Sequence, residues 1–161
     1  MTATDSSTVQ KTITVEATPE HAFEVFTAGI DSWWPRSHHI GKSPMKETRI
    51  ECRAGGRCYS VHEDGAEGDW GKILVWEPPL RFVMAWQITH QWGYEPDLAK
   101  ASEVEVSFTP AEGGKTRVDL EHRYFERMGP GAEEMRTAVN GGWGKLMEMF
   151  AAQAAAGSAT Q

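Results

Sequence analysis

Apolar and polar residues alternate along much of this chain, and the alternation predicts a β-sheet. The clearest case is a hairpin around Glu112-Gly113-Gly114, in which Val104, Val106 and Phe108 alternate with polar residues on one side. On the other side Val118 and Leu120 do the same, in phase with Thr116 and His122. One face of this hairpin is apolar and the other charged, as in an antiparallel sheet that is covered on one side. Weaker alternation, interrupted by glycine and proline turns, predicts further strands over 13–17, 45–52, 57–62, 69–76 and 81–88.

Two short helices are predicted directly after the first strand. Thr18-Pro19-Glu20 begins the first of them, since threonine is a good N-cap and proline suits the first helical position. Asp31 or Ser32 caps a second, shorter turn that carries two adjacent tryptophans and ends at Pro35.

A long amphipathic helix is predicted near the C-terminus. From Met135 to Phe150, apolar residues recur at spacings of three and four, and Pro130 stands where the helix would begin. Gly141, Gly142 and Gly144 lie in its middle, and each costs about 1 kcal/mol of helix propensity relative to alanine. Either the helix breaks there, or something must approach its backbone closely.

This order of elements indicates an α+β fold. An antiparallel sheet with one charged face must cover its apolar face, and the long helix is the largest cover that the sequence offers. We therefore predict a helix-grip fold, a curved antiparallel sheet wrapped around a long C-terminal helix with two short helices after the first strand. A single domain is expected over 9–154, with a disordered N-terminal tail (1–8) and a flexible C-terminal tail (155–161).

Composition and charge exclude several classes of function. The chain has 16 basic and 23 acidic residues, a net charge of −7, which argues against binding to nucleic acid. It contains no apolar run of the roughly 20 residues that a membrane span needs. The N-terminus has no apolar core of a signal peptide, and the two cysteines are expected to be reduced thiols, so a cytoplasmic location is predicted.

No metal or cofactor is predicted. Cys52, Cys58 and His62 could converge across a turn, but their spacing is not that of a structural zinc site. Neither a phosphate-binding glycine loop nor a dinucleotide-binding motif occurs.

Seven tryptophans, against three tyrosines, are the most unusual feature of the composition. Strand parity places Trp70, Lys72, Leu74 and Trp76 on one face. The next strand likewise places Met84 and Trp86 on one face, together with Phe82 and Ile88. Two interpretations remain open: a core filled with large side chains, or an aromatic-lined pocket for a ligand, with Trp92 in a loop that could cover it.

Several short motifs occur together in an order that resembles one superfamily. The segments are Gly55-Gly56-Arg57, Trp70-Gly71-Lys72, Trp76-Glu77-Pro78-Pro79, Gly114-Lys115-Thr116 and Gly142-Trp143. The chain resembles the SRPBCC (START-like) superfamily, specifically the bacterial single-domain relatives of the activator of heat shock protein 90 ATPase. The resemblance implies a helix-grip fold with a hydrophobic cavity. Cys58 and Ser60 depart from it, because relatives often carry a bulky aromatic residue and an acid there.

The main functional hypothesis is binding of a hydrophobic or aromatic small molecule between the sheet and the C-terminal helix, by a monomer or homodimer. The predicted cavity residues are Trp33, Trp34, Cys58, Ser60, His62, Trp70, Trp76, Met84, Trp86, Phe108, His122, Gly142, Trp143 and Leu146.

Two alternatives use other features of the chain. His122 is in phase with the apolar face and is either a core histidine or the acid/base of a cyclase, hydratase or lyase. A co-chaperone-like role with a chaperone partner is the third hypothesis, and the lack of room for a second domain weighs against it.

Overall fold

The computed structural model describes residues 8–35 and 43–159 of the chain. Within them the strands are β1 (Val9–Val15), β2 (Met45–Ile50), β3 (Arg57–His62), β4 (Glu67–Glu77), β5 (Arg81–Trp86), β6 (Ser102–Pro110) and β7 (Thr116–Arg123). The helices are α1 (Pro19–Phe26) and α2 (Ala132–Ala159). Short 3-10 turns cover Ile30–Ser32, Leu98–Lys100, Glu112–Gly114 and Phe125–Met128.

The strands form one curled antiparallel sheet in the order β1-β7-β6-β5-β4-β3-β2. Helix α2 packs against the inner, apolar face of this half-barrel, and α1 packs beside it, where the ring centroids of Phe26 and Phe150 are 4.8 Å apart. The predicted α+β helix-grip fold is thereby confirmed, including the two short helical segments after β1.

Helix α1 begins as its sequence predicts. The Thr18 side-chain oxygen accepts a hydrogen bond from the backbone N–H of His21 at 3.2 Å, and Pro19 occupies the first helical position. The cap satisfies one of the backbone donors that a helix N-terminus leaves without an internal partner.

Strand β4 does not keep the predicted parity. Trp70 and Ile73 are buried, whereas Lys72 is exposed and Leu74 is 37% exposed, so the expectation that Trp70, Lys72 and Leu74 share a face is wrong. Two register shifts explain this: the pairing with β3 skips Trp70, and the pairing with β5 skips Leu74. Each bulge adds one residue and reverses which side chains point inward.

The outer face of the sheet carries a chain of ion pairs. Glu105 accepts hydrogen bonds from Arg81 at 2.9 Å and Arg123 at 2.5 Å, while Glu103 pairs with Arg123 and Arg127. Partial burial alone would raise the pKa of Glu105, but the two arginines outweigh it and hold that pKa below its ordinary value.

Helix α2 runs without a break through its three glycines. No described atom outside the helix backbone lies within 4 Å of a Cβ built on Gly141, Gly142 or Gly144. The helix also continues to Ala159, into the segment predicted as a C-terminal tail. No helix among the described residues is long and apolar enough to cross a membrane.

Glycines at two sites should respond oppositely to alanine. A Cβ on Gly71 would lie 2.7 Å from the Ala85 carbonyl oxygen, so Gly71→Ala is expected to lower the free energy of unfolding by about 1–3 kcal/mol. Gly141 is exposed in a helix with open space beside it, so Gly141→Ala should raise stability by up to about 1 kcal/mol. Urea unfolding of both variants tests this, and equal effects at the two sites would contradict it.

Candidate functional site

Four indole rings form a closed circuit between the sheet and helix α2. Trp34 stacks on Trp70 with ring centroids 5.7 Å apart and planes 14° apart. The ring centroids of Trp70 and Trp86 are 6.2 Å apart, and those of Trp86 and Trp143 are 5.7 Å apart. The Trp143 and Trp34 centroids, 6.2 Å apart, close the circuit. All four side chains are buried. We call this set the tryptophan circuit.

Different parts of the sequence supply the tryptophan circuit. Trp34 follows the 3-10 turn after α1, and Trp143 lies in α2. Trp70 and Trp86 come from neighbouring strands and are held together by a hydrogen bond from the Gln87 backbone N–H to the Trp70 carbonyl. The interior is therefore lined by aromatic rings from sheet, helix and connecting segment.

The indole N–H groups of the circuit are not equally satisfied. Trp70 Nε1 donates to Thr48 Oγ1 at 3.2 Å, and Trp143 Nε1 donates to His122 Nδ1 at 3.1 Å. Trp86 Nε1 is buried and has no hydrogen-bond partner within the described parts of the chain. An indole nitrogen can only donate, and leaving such a donor unpaired when buried costs about 1–3 kcal/mol.

His122 is held by hydrogen bonds at both ring nitrogens. Its Nε2 lies 2.8 Å from Ser102 Oγ, and its Nδ1 accepts from Trp143. Burial lowers the pKa of His122 to about 3, so the ring is neutral at physiological pH. Because Nδ1 accepts, the single proton of the neutral ring lies on Nε2, which donates to Ser102. This network fixes the His122 tautomer and orients the Trp143 indole.

The predicted cavity residues divide into two neighbouring groups on the inner face. One group surrounds the tryptophan circuit and includes His122, whose ring lies 5.2 Å from that of Trp86. The other surrounds Phe23, whose ring centroid lies 5.0 Å from that of Trp76 and 5.1 Å from that of Phe108. The predicted residues that are buried are Trp33, Trp34, Cys58, Ser60, His62, Trp70, Met84, Trp86, Phe108, His122, Trp143 and Leu146.

Two of the predicted residues are less enclosed, and two of the buried ones have polar or sulfur contacts of their own. Trp76 is partly buried and Gly142 is half-buried on α2. Cys58 is fully buried, with its Sγ 4.0 Å from Met84 Sδ, and burial raises the pKa of its thiol well above the usual range. His62 is the last residue of β3, where its Nδ1 is 2.7 Å from the Ser43 carbonyl oxygen and it lines a surface cleft.

Two polar members of the site were not identified from the sequence. Ser102 binds His122, and Thr48 accepts from Trp70 while its own backbone N–H donates to Asp31 Oδ1 at 3.0 Å. Ser102 is in phase with the apolar positions of β6, so alternation could have placed it on the inner face. Thr48 gives a weaker signal, because simple alternation puts it in phase with Lys46, and a register shift in β2 separates it from the buried Met45.

Among the residues that the structure describes, no group of three or more histidine, cysteine, aspartate or glutamate side chains is arranged to hold a metal ion.

Comparison with known proteins identifies the fold and several relatives. The family model described as "Activator of Hsp90 ATPase homolog 1-like protein" matches residues 16–155. No curated protein sequence matches the chain. Among solved structures, an anthrahydroquino-gamma-pyrone synthase, Txn09, complexed with SUM, is 43% identical, with a TM-score of 0.59 over 83% of this chain and 86% of that one.

Two further structures are similar. The self-sacrificing resistance protein CalC from Micromonospora echinospora is 27% identical, with a TM-score of 0.68 over 96% of this chain and 97% of its own. Protein MLL2253 from Mesorhizobium loti is 21% identical, with a TM-score of 0.63 over 89% and 93% of the two chains, and supports the fold alone.

Proposed function

Since the chain belongs to the Activator of Hsp90 ATPase homolog 1-like family of the SRPBCC superfamily, with an interior lined by aromatic rings, we propose that it binds a planar aromatic molecule beside the tryptophan circuit. Ligand sites of this kind are mostly apolar and contain few polar groups, which fix the orientation of the ligand. Here Trp86 supplies the orienting group.

The unpaired Trp86 N–H is the observation that carries this proposal. The indoles of Trp70 and Trp143 donate to protein atoms, whereas Trp86 Nε1 is buried without a described partner. A carbonyl oxygen on a ligand would remove this penalty, because an oxygen acceptor is what the indole lacks. The proposed ligand is therefore a flat ring system that carries a carbonyl group.

The similarity to Txn09 agrees with this class of ligand. Txn09 is described as an anthrahydroquino-gamma-pyrone synthase, and it is 43% identical over 83% of this chain. Fused aromatic rings could stack on the flat indole surfaces, and their oxygen substituents could accept a hydrogen bond from the Trp86 indole N–H.

A matched pair of probes tests the proposal. Anthracene and 9,10-anthraquinone have the same ring outline, but only the quinone carries carbonyl oxygens. The wild-type chain is expected to bind the quinone about fivefold more tightly, as one neutral hydrogen bond is worth about 1 kcal/mol. Trp86→Phe should abolish this preference while it retains binding of both probes, measured by isothermal titration calorimetry.

Trp76→Phe is the control, because it removes an indole that packs on Phe23 and lies outside the circuit. It should leave the preference for the quinone unchanged. Failure of the wild-type chain to bind either probe would contradict the proposal. If Trp86→Phe still preferred the quinone as strongly as the wild-type chain, Trp86 would not be the group that binds the carbonyl oxygen.

Ring closure of a bound aromatic polyketide is the second candidate function. It is favoured by the similarity to Txn09, which is described as a synthase. Both His122 nitrogens are already hydrogen-bonded, so we assign His122 the role of orienting Trp143 rather than that of acid or base. Incubation with the substrate of that synthase, followed by mass spectrometry and chromatography, tests this candidate, and recovery of unchanged substrate would leave binding alone.

A further inference from the structure

A cavity lies at the surface, outside the tryptophan circuit. It is a cleft of about 670 Å³ between the turn that joins β3 to β4 and the loop that follows β5. His62 and Gly68 lie on the strand side, and Trp92 and Tyr94 on the loop side. Neither ligand binding beside the tryptophan circuit nor ring closure there uses this cleft.

The cleft exists because β4 and β5 separate at one end of the sheet. The Gln87 N–H still donates to the Trp70 carbonyl, but beyond it the two chains diverge. Residues 67–69 remain paired with β3, whereas the loop closes on itself through the bond from Thr89 N–H to the Gly93 carbonyl. Gly68 has no side chain to fill the space, and among the described residues a Cβ there would meet only the His62 ring, at 3.7 Å.

Two aromatic rings form the loop wall of the cleft. Trp92 is 51% exposed and Tyr94 is 45% exposed, which is unusual for side chains of this size. Trp92 has a φ of 63°, in the left-handed region that bulky residues rarely adopt. The backbone N–H of Trp92 donates to the Thr89 carbonyl, and the Thr89 hydroxyl accepts from the backbone N–H of Gly93. These bonds hold the loop, and with it the indole, in this position.

The opposite wall is acidic. Asp64, Glu67 and Asp69 line it, and Arg57 pairs with Glu67 at 3.1 Å and with Asp69 at 2.6 Å. Asp64 instead accepts a hydrogen bond from the Ala66 backbone N–H, which closes the turn without neutralising the carboxylate charge. Three carboxylates against one guanidinium leave a formal charge of −2 among these side chains.

We propose that this cleft binds an organic ammonium group. Aromatic faces attract cations through their ring electrons, tryptophan most strongly, and nearby carboxylates add a Coulombic attraction. The cleft presents both, on facing walls and at a size that suits a small molecule. This site is separate from the tryptophan circuit, and its proposal does not rest on the aromatic ligand proposed for the interior.

Choline and its neutral carbon isostere, 3,3-dimethylbutan-1-ol, test the need for positive charge. We expect choline to shift the indole N–H resonance of Trp92 in a saturable titration followed by nuclear magnetic resonance, after Trp92→Gly has assigned that resonance. The isostere, which has the same shape without the charge, should bind at least about tenfold more weakly. Equal binding of the two probes, or no shift with choline, would overturn the proposal.

Two variants separate the aromatic and acidic contributions. Trp92→Gly removes the ring at a position where a positive φ suits glycine, and is expected to weaken choline binding about tenfold. Asp64→Asn removes charge but keeps an oxygen that can accept from Ala66, and should weaken binding about threefold. Glu112→Gln, in the 3-10 turn Glu112–Gly114, is the charge-matched control and should have no effect. A loss as large in this control as in Asp64→Asn would show non-specific attraction and contradict the site.

Discussion

Lowering the pH from 7 to 5 is expected to reduce the free energy of unfolding by about 2 kcal/mol through His122 alone. His122 is fully buried, and burial lowers its pKa from 6.5 to about 3 in the folded chain. Between these values the unfolded chain binds a proton at this residue that the folded chain does not. The contribution of the neutral His122 to the free energy of unfolding is therefore fully present well above pH 6.5 and is lost progressively as the pH falls towards 3.

Urea unfolding at half-unit steps between pH 7 and 5 measures this effect. The ordinary pKa of glutamate, 4.5, lies below this window, and Glu105 and Glu133 titrate lower still. Replacement of His122 by glutamine, which is not titratable, should make the dependence on pH shallower by up to about 1.4 kcal/mol per pH unit. An equally steep dependence in His122→Gln would contradict the prediction.

Ser102→Ala provides a control that keeps the imidazole. It removes the hydroxyl that lies 2.8 Å from His122 Nε2, so stability should fall at every pH while the dependence on pH remains. The wild-type chain also allows a direct measurement, because the imidazole resonances of a neutral buried His122 should not shift between pH 7 and 5. A shift centred near pH 6.5 would show that the ring is accessible to protons.

The hairpin of β6 and β7 illustrates what the sequence predicts well. Its alternation is uninterrupted, and the observed pairing of Val104 with His122 and of Phe108 with Val118 is continuous. The inward direction of His122 therefore follows from its phase with Val118 alone. The partners of His122 could not be predicted in the same way, because Ser102 and Trp143 reach it from different elements.

Strand β4 illustrates the opposite case. Two bulges, at Trp70 and Leu74, reverse the side-chain direction twice within a few residues, and no turn residue marks the second one. Trp70 and Trp76 both face inward as predicted, but only because the two reversals cancel. Alternation also does not specify position along a strand. It could not show that Trp76 joins the rings around Phe23 while Trp70 joins the circuit.

The cleft depends on features that no sequence pattern encodes. It forms where two strands separate, and its lining comes from a turn and a loop that are more than 20 residues apart in the chain. The sequence placed Trp92 in a loop that could cover the interior. In the structure Trp92 lines the surface cleft instead.

Removal of the Trp143 side chain is expected to destabilise the folded chain severely. Trp143→Ala should lower the free energy of unfolding by about 3–5 kcal/mol, because a large buried aromatic side chain is lost and a cavity remains. Trp143 is only 1% exposed and contacts both Trp34 and Trp86 in the tryptophan circuit. Its loss also leaves His122 Nδ1 without its donor.

Trp143→Phe separates the packing of this side chain from its hydrogen bond. Phenylalanine retains much of the aromatic contact with Trp86 but cannot donate to His122, so a smaller loss of about 1–3 kcal/mol is expected. Leu80→Ala, at a side chain that is 62% exposed in the turn between β4 and β5, is the control and should change stability by less than about 0.5 kcal/mol. Urea unfolding followed by circular dichroism measures all three. A buried ring that contacts two others cannot be removed without leaving space that its neighbours fill only partly. A loss of stability in Trp143→Ala no greater than that in Leu80→Ala would therefore contradict the central place of the tryptophan circuit in the folded core.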